Sequence, residues 1–466
     1  MAYADLREFL ARLEQLNELT RVSVEVDPRF EVGAVARRAL DLGSPALLFE
    51  RPKGYRTPLV VNMLATRRRV AVALECREDE LPQVWVRRTA TPLPPELVRD
   101  GPCKEHILLG DEVDIFRFPM PVWNEFDGGP FISLPCHISR GERSQRRNAA
   151  VYRAQVHDRQ TLGLLAAPYR HILHQRNEAK DPSQPFPVAV CLGVDPVITL
   201  AALGGFEPGV DELAMAGALR GAPLDLVPCE TIPLEVPATA EIVLEGEIPP
   251  GELRDEGPFG DVTGYYGVVA PRPIIRIKAI THRGGAIHAG SYDGRPPQEN
   301  AVLQGLQTEV ELFRTVSLPG LKKINVKPGG SGMFTAVAAI EKKFEGYGKM
   351  MALAILGCWV GRTIKTLVIV DEDIDPFNEV EVDWAIATRV QARRDVDIID
   401  NLTGMQLDPS LDELERSGPS RTSKLIIDAT RYNAHTFERP VEPPREVMQR
   451  VLARWEAYGI PEAGVR

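Results

Sequence analysis

The clearest strand signal in this chain is EIVLEGEI (residues 241–248), which a turn-rich stretch separates from PIIRIKAITHR (residues 273–283). Four similar short, apolar segments with a strand pattern precede it in the chain, namely FISLPCHISR, NAAVYRAQVHD, TLGLLAAP and FPVAVCLGV. A single helix, DELAMAGALRG, interrupts them. Short strands at this spacing predict a β-barrel or β-sandwich in the middle of the chain.

Helices and strands alternate on both sides of this central region. The N-terminal segment MAYADLREFLARLEQL places leucines and Phe9 on one helical stripe, and a proline-rich stretch near residue 100 predicts a boundary. Strand and helix signals alternate again after the predicted helix of residues 300–317. The predicted units are 1–100 (N-terminal α/β), 101–300 (central β), 301–320 (linker helix), 321–440 (C-terminal α/β, expected to oligomerise) and 441–466 (helical tail).

Composition excludes several classes of function. The 466 residues carry a net charge of −10, which argues against nucleic acid or an anionic membrane as the main partner. The six cysteines form no CxxC pair, so we expect reduced thiols rather than disulfides or a zinc site. The first helix lacks the pattern of a signal peptide and the longest apolar run is too short to span a bilayer, so we expect neither a signal peptide nor a membrane span. We therefore predict a cytoplasmic protein, and expect the basic clusters ATRRRV (residues 65–70) and SQRRN (residues 144–148) to be solvated.

The segment RDEGPFGDVTGYYG (residues 254–267) is the first candidate for chemistry. Glu256 and Asp261 flank a Gly-Pro-Phe-Gly sequence that favours a tight turn. Such a turn brings two carboxyl groups towards one point, and neighbouring carboxyl groups in a dry pocket favour a proton donor. The alternative on spacing alone is a surface turn with two solvated acids.

Three separate segments supply a possible metal site. Asn148 lies in a predicted strand, His171 near the end of another, and Glu212 in the first turn of a helix. An amide, an imidazole and a carboxylate suit Mn²⁺ or Mg²⁺ better than structural zinc. Each residue also has a simpler explanation, as a turn residue, a core histidine and a helix N-terminal acid. Arg153 follows Asn148 by five residues, so the two side chains meet only if the strand is interrupted by a bulge or turn.

Two other motifs point away from chemistry. VKPGGSGMF (residues 326–334) has neither the Gly-Lys-Ser/Thr end of a P-loop nor a GxGxxG pattern, so we expect a flexible loop. DEDID (residues 371–375) follows an apolar strand, where an acidic turn is more common than a metal site.

Four motifs together resemble the UbiD family of decarboxylases, which includes the polyprenyl-hydroxybenzoate and ferulate decarboxylases. They are NAAVYRAQV, PATAEIVLEGEI, EGPFGDVTGYYG and SYDGRPPQENAVL, in the family's order, and the resemblance covers essentially the whole chain. It implies an α/β, multidomain (α+β) fold whose central domain is a split β-barrel that binds flavin. It also implies prenylated FMN as the cofactor, held with a divalent metal, usually Mn²⁺, and with K⁺.

The resemblance assigns roles to individual residues. Asn148, His171 and Glu212 match the family's metal ligands, and Arg170 and Lys365 lie where cofactor contacts are expected. The catalytic residues are expected to be Arg153, Glu256 and Asp261. Arg153 would hold the substrate carboxylate and contact the cofactor, Glu256 would orient Arg153, and Asp261 would donate the proton. The ferulate enzymes have glutamate where this chain has Asp261, so a cinnamate-type substrate is not assumed.

The implied reaction is a non-oxidative, reversible decarboxylation of an aromatic, heteroaromatic or α,β-unsaturated acid, with the prenylated flavin as electron sink. A flavin prenyltransferase would supply the cofactor, and a homodimer or homohexamer is expected. Arg295 or Gln298 is a candidate for binding a polar substrate ring. Two alternatives stay open, namely a flavin oxidoreductase on a similar split barrel and a non-catalytic member that binds the cofactor without turnover.

Overall fold

The computed structural model describes residues 3–43, 45–166, 170–207, 209–416, 420–433 and 436–460. Six predicted positions of the C-terminal tail, 461–466, lie outside these ranges, as do residues 167–169 at the end of the predicted TLGLLAAP strand. Helices and sheets are mixed throughout the described chain, so the predicted α/β, multidomain class is confirmed.

The N-terminal part packs helices on a small sheet. Asp5 caps the first helix by accepting from the Glu8 N–H, and the helix buries Leu6, Phe9 and Leu13 on the predicted stripe. The elements are α1 Leu6–Gln15, β1 Leu19–Val22, α2 Glu31–Asp41, β2 Ala46–Phe49, β3 Leu59–Val61, α3 Arg67–Ala73 and α4 Leu81–Thr89.

The central part is dominated by strands. Its elements are β4 Glu96–Leu97, β5 His106–Leu109, β6 Phe131–Ile132, β7 Cys136–Arg140, β8 Arg147–Val151, β9 Ala154–Asp158, β10 Thr161–Leu164, α5 His171–Asn177, β11 Phe186–Leu192, α6 Pro196–Ala202, α7 Glu212–Arg220, β12 Asp225–Pro228, β13 Glu235–Pro237, β14 Ile242–Ile248, β15 Leu253–Glu256, β16 Ala270–His282 and β17 His288–Gly290. The last strand pairs with β3, so it extends the N-terminal sheet in the order β1-β2-β3-β17.

A ten-stranded sheet occupies the part of the chain for which a split barrel is predicted. Its path runs β6-β9-β10-β16-β14-β11-β7-β8, and β5 and β15 also pair with the long strand β16. A three-stranded sheet, β13-β12-β4, lies beside it. The sheet is mostly antiparallel, as the short strands and turns of the sequence predict.

Strands β11 and β14 are buried on both faces of this sheet, which explains their nearly continuous apolar sequences. In β11, Val188 and Val190 contribute to one apolar core, whereas Ala189 and Cys191 contribute to another. The second core also contains residues of α1, α6 and α7. Alternate side chains of a strand point to opposite faces, so β11 contributes to both cores.

The C-terminal part is a three-layer α/β unit. Its elements are α8 Glu299–Thr315, β18 Leu321–Val326, β19 Thr335–Ile340, α9 Tyr347–Gly357, β20 Thr366–Asp371, α10 Glu379–Arg389, α11 Ala392–Asp395, β21 Val396–Thr403, α12 Glu413–Arg416, β22 Arg421–Ala429 and α13 Arg445–Leu452. The sheet order is β18-β19-β20-β22-β21, with β19, β20 and β22 parallel. Helices α9 and α10 cover opposite faces of it. The predicted strand and helix alternation is thus present, together with three strands that the pattern did not indicate.

The basic cluster of residues 65–70 differs from its prediction. It begins helix α3, and Arg69 is only 1% exposed. The Arg69 guanidinium donates to the carbonyls of Asn62 and Met63 and pairs with Glu18. Because these donors are satisfied by backbone oxygens and a carboxylate, the arginine is a structural part of the core.

The acidic turn and the glycine-rich loop of the C-terminal unit are both structural. Asp371 and Asp373 bind the buried Arg389, at 2.9 and 3.0 Å, and also lie close to Arg431. These two acids are therefore paired with arginines, whereas Glu372 and Asp375 lie near Lys322 and Lys323. In the glycine-rich loop, Gly332 has a φ of +66° and packs so closely on the Ala301 carbonyl that a Cβ atom would overlap it. The expected flexible loop is instead packed against α8.

Among the described residues, no helix is both long enough and apolar enough to cross a membrane. All six cysteines are free thiols.

Candidate active site

Arg153 lies at an interruption between two strands. Strand β8 ends at Val151 and β9 begins at Ala154, so Tyr152 and Arg153 belong to neither strand. The two strands join different neighbours, because β8 pairs with β7 while β9 pairs with β6 and β10. This is the interruption that the five-residue spacing from Asn148 required.

The guanidinium of Arg153 binds both acids of the EGPFGD turn. Its Nε and Nη2 atoms donate to the two carboxylate oxygens of Glu256 at 2.9 and 3.2 Å, and Nη1 donates to Asp261 Oδ2 at 2.5 Å. The side chains are 10%, 1% and 14% exposed for Arg153, Glu256 and Asp261. The turn therefore brings the two carboxyl groups together on one arginine, and the alternative of two solvated acids is wrong. Asp261 is the most exposed of the three side chains.

The turn itself is fixed by three polar contacts. Gly257 has a φ of +97°, and its N–H donates to Gln155 Oε1 at 2.9 Å. Asp127 accepts from the Gly260 N–H at 2.9 Å, and the Gly128 N–H donates to the Pro258 carbonyl at 2.7 Å. These bonds tie the turn to β9 and to the loop before β6. Sequence patterning missed Gln155 and Asp127 because their partners are more than 100 residues away.

An aromatic ring supports the arginine. The Phe259 ring lies 4.8 Å from the Arg153 guanidinium and is 1% exposed. A cation held over an aromatic face gains a further electrostatic contact and keeps one orientation. Arg153 is thus held by two carboxylates and one ring.

A third carboxyl group, Asp293, faces the same cluster. It is 4% exposed, and its Oδ1 atom has no hydrogen-bond partner. Burial raises the pKa of Asp293 well above its usual range, and the charges of Asp261 and Glu299 raise it further, while Arg153 lowers it. Asp293 belongs to the SYDGRPPQEN segment, where sequence analysis selected Arg295 and Gln298 instead.

The hydrogen bonds of these two residues in the described chain go to partners outside the Arg153 cluster. Gln298 is fully buried, where it caps α8 by accepting from the Ala301 N–H and donates to the Val262 carbonyl. Its amide is therefore engaged within the fold. Arg295 is exposed, and its backbone carbonyl accepts from Arg37.

The three predicted metal ligands lie in β8 and at the first positions of α5 and α7. Glu212 Oε2 accepts from the N–H of Ala149, the residue after Asn148, at 2.9 Å, and Glu212 Oε1 lies 3.7 Å from His171 Nδ1. Asn148 is 1% exposed, and its Oδ1 atom has no hydrogen-bond partner. An unpaired amide oxygen, an imidazole and a carboxylate oxygen in one place fit a hard divalent cation. Among the described residues, no group of three or more His, Cys, Asp or Glu side chains could bind a metal ion. The predicted trio is not such a group, because one of its three members is an asparagine.

Helix ends position two of these ligands. Glu212 is the first residue of α7, as predicted, and Asp211 caps that helix. His171 is the first residue of α5, so the prediction that it lies near the end of a strand is wrong, because β10 already ends at Leu164. Arg170 is the N-cap residue of α5 and is exposed.

A pocket opens beside the trio. Asn148 and His171 line it, and so do Ser144, Arg146, Arg147, His174, Gln175, Glu178 and Gly209. Arg147 is mostly buried and pairs with Asp211 at 2.7 Å and with Glu235 at 3.3 Å. The SQRRN cluster, expected to be solvated, thus lines the pocket next to the metal ligands. Basic side chains there suit a phosphate group.

Lys365 lies in the C-terminal unit. Its ammonium group binds Asp408 Oδ2 and Ser410 Oγ, both at 2.7 Å, and lies 5.7 Å from the Phe334 ring. These contacts place it with residues of its own unit rather than with the Asn148 trio.

Three family models match the chain. They are the N-terminal domain (residues 10–89), the Rift-related domain (residues 96–296) and the C-terminal domain (residues 301–429) of 3-octaprenyl-4-hydroxybenzoate carboxy-lyase, UbiD. Solved structures of whole enzymes match as well. The UbiD-class enzyme HmfF from Pelotomaculum thermopropionicum, in complex with FMN, is 38% identical with a TM-score of 0.89, over 95% of this chain and 98% of that one. This chain belongs to the UbiD family of carboxy-lyases.

Two other similar structures are decarboxylases by name. Vanillic acid decarboxylase from Sedimentibacter hydroxybenzoicus, in its open form, is 32% identical with a TM-score of 0.89, over 98% of this chain and 99% of that one. 3,4-Dihydroxybenzoic acid decarboxylase from Klebsiella pneumoniae is 30% identical with a TM-score of 0.89, over 97% and 99% of the two chains. An evolved dimeric form of HmfF was solved with prenylated FMN. The predicted family and the predicted carboxy-lyase class are confirmed.

Proposed function

We propose that this protein catalyses the non-oxidative, reversible decarboxylation of an aromatic, heteroaromatic or α,β-unsaturated carboxylic acid with prenylated FMN. The observation that carries the proposal is the buried cluster of one arginine and two acids, Arg153, Glu256 and Asp261, in a member of a carboxy-lyase family. When bound, prenylated FMN supplies the electron sink for the electron pair that CO₂ leaves on the substrate carbon.

Arg153 is assigned to hold the substrate carboxylate. A guanidinium binds a carboxylate through two parallel bonds and stays charged at any working pH. Glu256 and Phe259 fix its orientation, which supports the proposal because a positioned cation needs no rearrangement during the reaction. Glu256 is thus a positioning residue.

Asp261 is assigned to deliver the proton. It contacts Arg153 through a single hydrogen bond and is the most exposed acid of the cluster, so a substrate that binds Arg153 would lie beside it. Aspartate is one methylene shorter than glutamate. The substrate therefore has to approach the turn closely, or a water has to bridge the gap.

Asn148, His171 and Glu212 are assigned to hold a divalent metal, with Mn²⁺ as our choice. The unpaired Asn148 oxygen and the arrangement of Glu212 and His171 support this assignment. A cofactor phosphate would be bound by this metal and by the basic wall of the adjoining pocket. Arg153, Arg170 and Lys365 are the further cofactor contacts that we propose, and for Lys365 this requires release from Asp408.

Several parts of the proposal rest on the family resemblance alone. These are K⁺ as a second cation, a flavin prenyltransferase as the cofactor supplier, a homodimer or homohexamer with the C-terminal unit as its interface, and a cytoplasmic location.

The test is CO₂ release from a panel of aromatic, heteroaromatic and acrylic acids. The protein is co-expressed with a flavin prenyltransferase and reconstituted with Mn²⁺, and protein made without the prenyltransferase is the control. Release confined to the prenylated sample is the expected result, and the acid that responds defines the substrate class.

The two alternatives give different outcomes in the same experiment. No release from protein that carries the modified flavin, as judged by absorbance and mass, would favour a non-catalytic member. Reduction of bound plain FMN without release would favour a flavin oxidoreductase, and in that case Arg153→Ala should leave the reduction intact. No contact described above favours either alternative over decarboxylation.

A further inference from the structure

The charges around Arg153 do not balance if every acid is ionised. Glu256 and Asp261 both bind the Arg153 guanidinium. The positive charge of Arg153 also acts on a third carboxyl group, that of Asp293. Three buried carboxylates on one arginine would leave two uncompensated negative charges. Uncompensated buried charge costs several kcal/mol, so such groups take up protons instead.

Asp293 is the member of the cluster that is best placed to keep a proton. Asp261 is held by Arg153 through a direct ion pair, whereas the Oδ1 atom of Asp293 is buried without a partner. Glu256 has two direct bonds to the same arginine. Hydrogen bonds from a cation favour the ionised form of a carboxyl group, and burial without such bonds favours the neutral form.

The groups that face Asp293 come from three parts of the chain. Asp261 approaches from the EGPFGD turn and Glu299 from the start of α8, and both disfavour a negative charge at Asp293. Arg153, between β8 and β9, and the Asn300 side chain favour it. Burial raises the pKa of Glu299 itself to about 7, although the Leu64 N–H and the charge of Arg69 both lower it. The balance on Asp293 is therefore towards the neutral acid.

The backbone keeps Asp293 in this place. Asn124 donates to its carbonyl at 3.0 Å, and the neighbouring Tyr292 hydroxyl donates to Asn124 Oδ1 at 3.0 Å. Asn124 also lies against Gly260 of the EGPFGD turn. The residue is thus positioned against the turn that carries Asp261.

We propose that Asp293 is a positioning residue for the proton transfer, which holds a proton at neutral pH and passes it to Asp261 when the substrate carboxylate has bound to Arg153. The O–H bond of Asp293 breaks as an O–H bond forms on the Asp261 carboxylate. The carbon–carboxyl bond breaks and CO₂ leaves, with the electron pair remaining on the substrate side. The O–H bond of Asp261 then breaks as the C–H bond of the product forms, and solvent restores the proton on Asp293 once the product has left. Each turnover consumes one proton from water.

This inference rests on the proposed function, but its first test does not. Infrared spectroscopy of the full-length, cofactor-free protein detects the C=O stretch of a protonated carboxyl group. At about pH 8 most acids, including Glu299 and Asp195, are ionised. We expect a protonated-carboxyl band in the wild type at this pH, its loss in Asp293→Asn, and no change in Asp195→Asn, which is an equally buried acid that caps α6.

Absence of the band from the wild type at about pH 8, or its survival in Asp293→Asn, would overturn the inference whatever the enzyme's activity. The wild-type spectrum alone decides the first point, so the test stands even if the variant does not fold. Failure of the proposed function would instead appear as missing CO₂ release while the band is present.

The second test is the pH profile of kcat/KM for the holoenzyme. If Asp293 supplies the proton, the alkaline limb of the profile reports the loss of that proton, and Asp293→Asn has no such proton to lose. We therefore expect kcat/KM to fall and the alkaline limb to disappear in Asp293→Asn. A uniform fall in rate at every pH, with the limb in place, would show a merely structural role and contradict the inference.

Discussion

Arg153 and Glu256 form a two-point ion pair, in which Nε and Nη2 of the arginine bind separate oxygens of the carboxylate at 2.9 and 3.2 Å. The pair is nearly free of solvent, with side chains 10% and 1% exposed. One edge of the guanidinium is thus committed to Glu256, and Nη1 is directed to Asp261. This geometry is the basis for assigning Glu256 to orient Arg153 and Asp261 to deliver the proton.

We expect Glu256→Gln to lower kcat/KM by on the order of 10²- to 10³-fold. The amide keeps the shape but leaves Arg153 partly unpaired in a buried position, and breaking such a pair costs about 3–5 kcal/mol. The measurement is CO₂ release by the prenylated holoenzyme. Glu252→Gln is the matched control, since Glu252 pairs with Arg276 while both are nearly half exposed, and such pairs contribute about 0–1 kcal/mol. Equal effects of the two substitutions would contradict the assigned role of Glu256.

Replacement of Asp261 should affect turnover more than substrate binding. Asp261→Asn cannot donate a carboxyl proton, and general acid catalysis contributes about 10²- to 10⁴-fold. Arg153 stays oriented by Glu256, so KM should change by less than about tenfold. The experiment determines kcat and KM separately, with Asp261→Glu as the variant that retains an acid and recovers part of the rate. A near-normal kcat in Asp261→Asn would exclude it as the proton donor.

Removal of the Asn148 amide should weaken metal binding without loss of the fold. Asn148→Leu deletes the unpaired oxygen beside Glu212, and we expect Mn²⁺ affinity to fall at least about tenfold. Metal content after dialysis and calorimetric titration measure the effect. His174→Gln is the control, because His174 lines the same pocket but is largely exposed and pairs with Glu178 at 3.3 Å. Unchanged Mn²⁺ binding in Asn148→Leu would contradict the assignment.

The sequence predicts the local features of this molecule well. The stripe of α1 needs only the 3.6-residue period, and the two-sided burial of β11 is visible in its apolar run. The convergence of Glu256 and Asp261 follows from the four-residue turn between them, whose glycine at 257 accepts a positive φ. Such features depend on neighbours in the chain, so periodicity and turn chemistry are enough to find them.

Features that depend on distant partners could not be predicted in the same way. Arg69 is buried because the Asn62 and Met63 carbonyls and Glu18 satisfy its donors, which a run of three arginines does not indicate. Asp293 lies near Arg153 although 140 residues separate them in the sequence. The residues next to Asp293 in the chain do not distinguish it from an aspartate on the surface. The roles of Asn148, His171 and Glu212 came from resemblance to a family and not from their spacing.

Glu299 makes stability depend on pH in a defined direction. Burial raises its pKa to about 7 in the folded protein, above its usual value near 4.5, so the folded state binds more protons between these values and stability falls as pH rises. Each pH unit in that window is worth about 1.4 kcal/mol. The wild type loses this stability as pH rises, whereas Glu299→Gln cannot. The unfolding free energy of Glu299→Gln relative to that of the wild type should therefore increase by a few kcal/mol from about pH 4 to about pH 8.

Chemical denaturation at several pH values measures this shift. Asp195→Asn should give the same sign over a narrower window, because the pKa of Asp195 is raised by burial only to about 6. A constant difference between Glu299→Gln and the wild type across this range would show that Glu299 is ionised in the folded protein.

The most direct test of the central claim is the isotopic composition of the product formed in D₂O. If the Arg153 cluster carries a non-oxidative decarboxylation, each product molecule gains one deuterium at the carbon that lost CO₂, with one CO₂ per product and no net oxidation of the flavin. Arg153→Ala should abolish this incorporation. Product without deuterium at that carbon, or product formation tied to equal consumption of oxygen or of reduced flavin, would contradict the account.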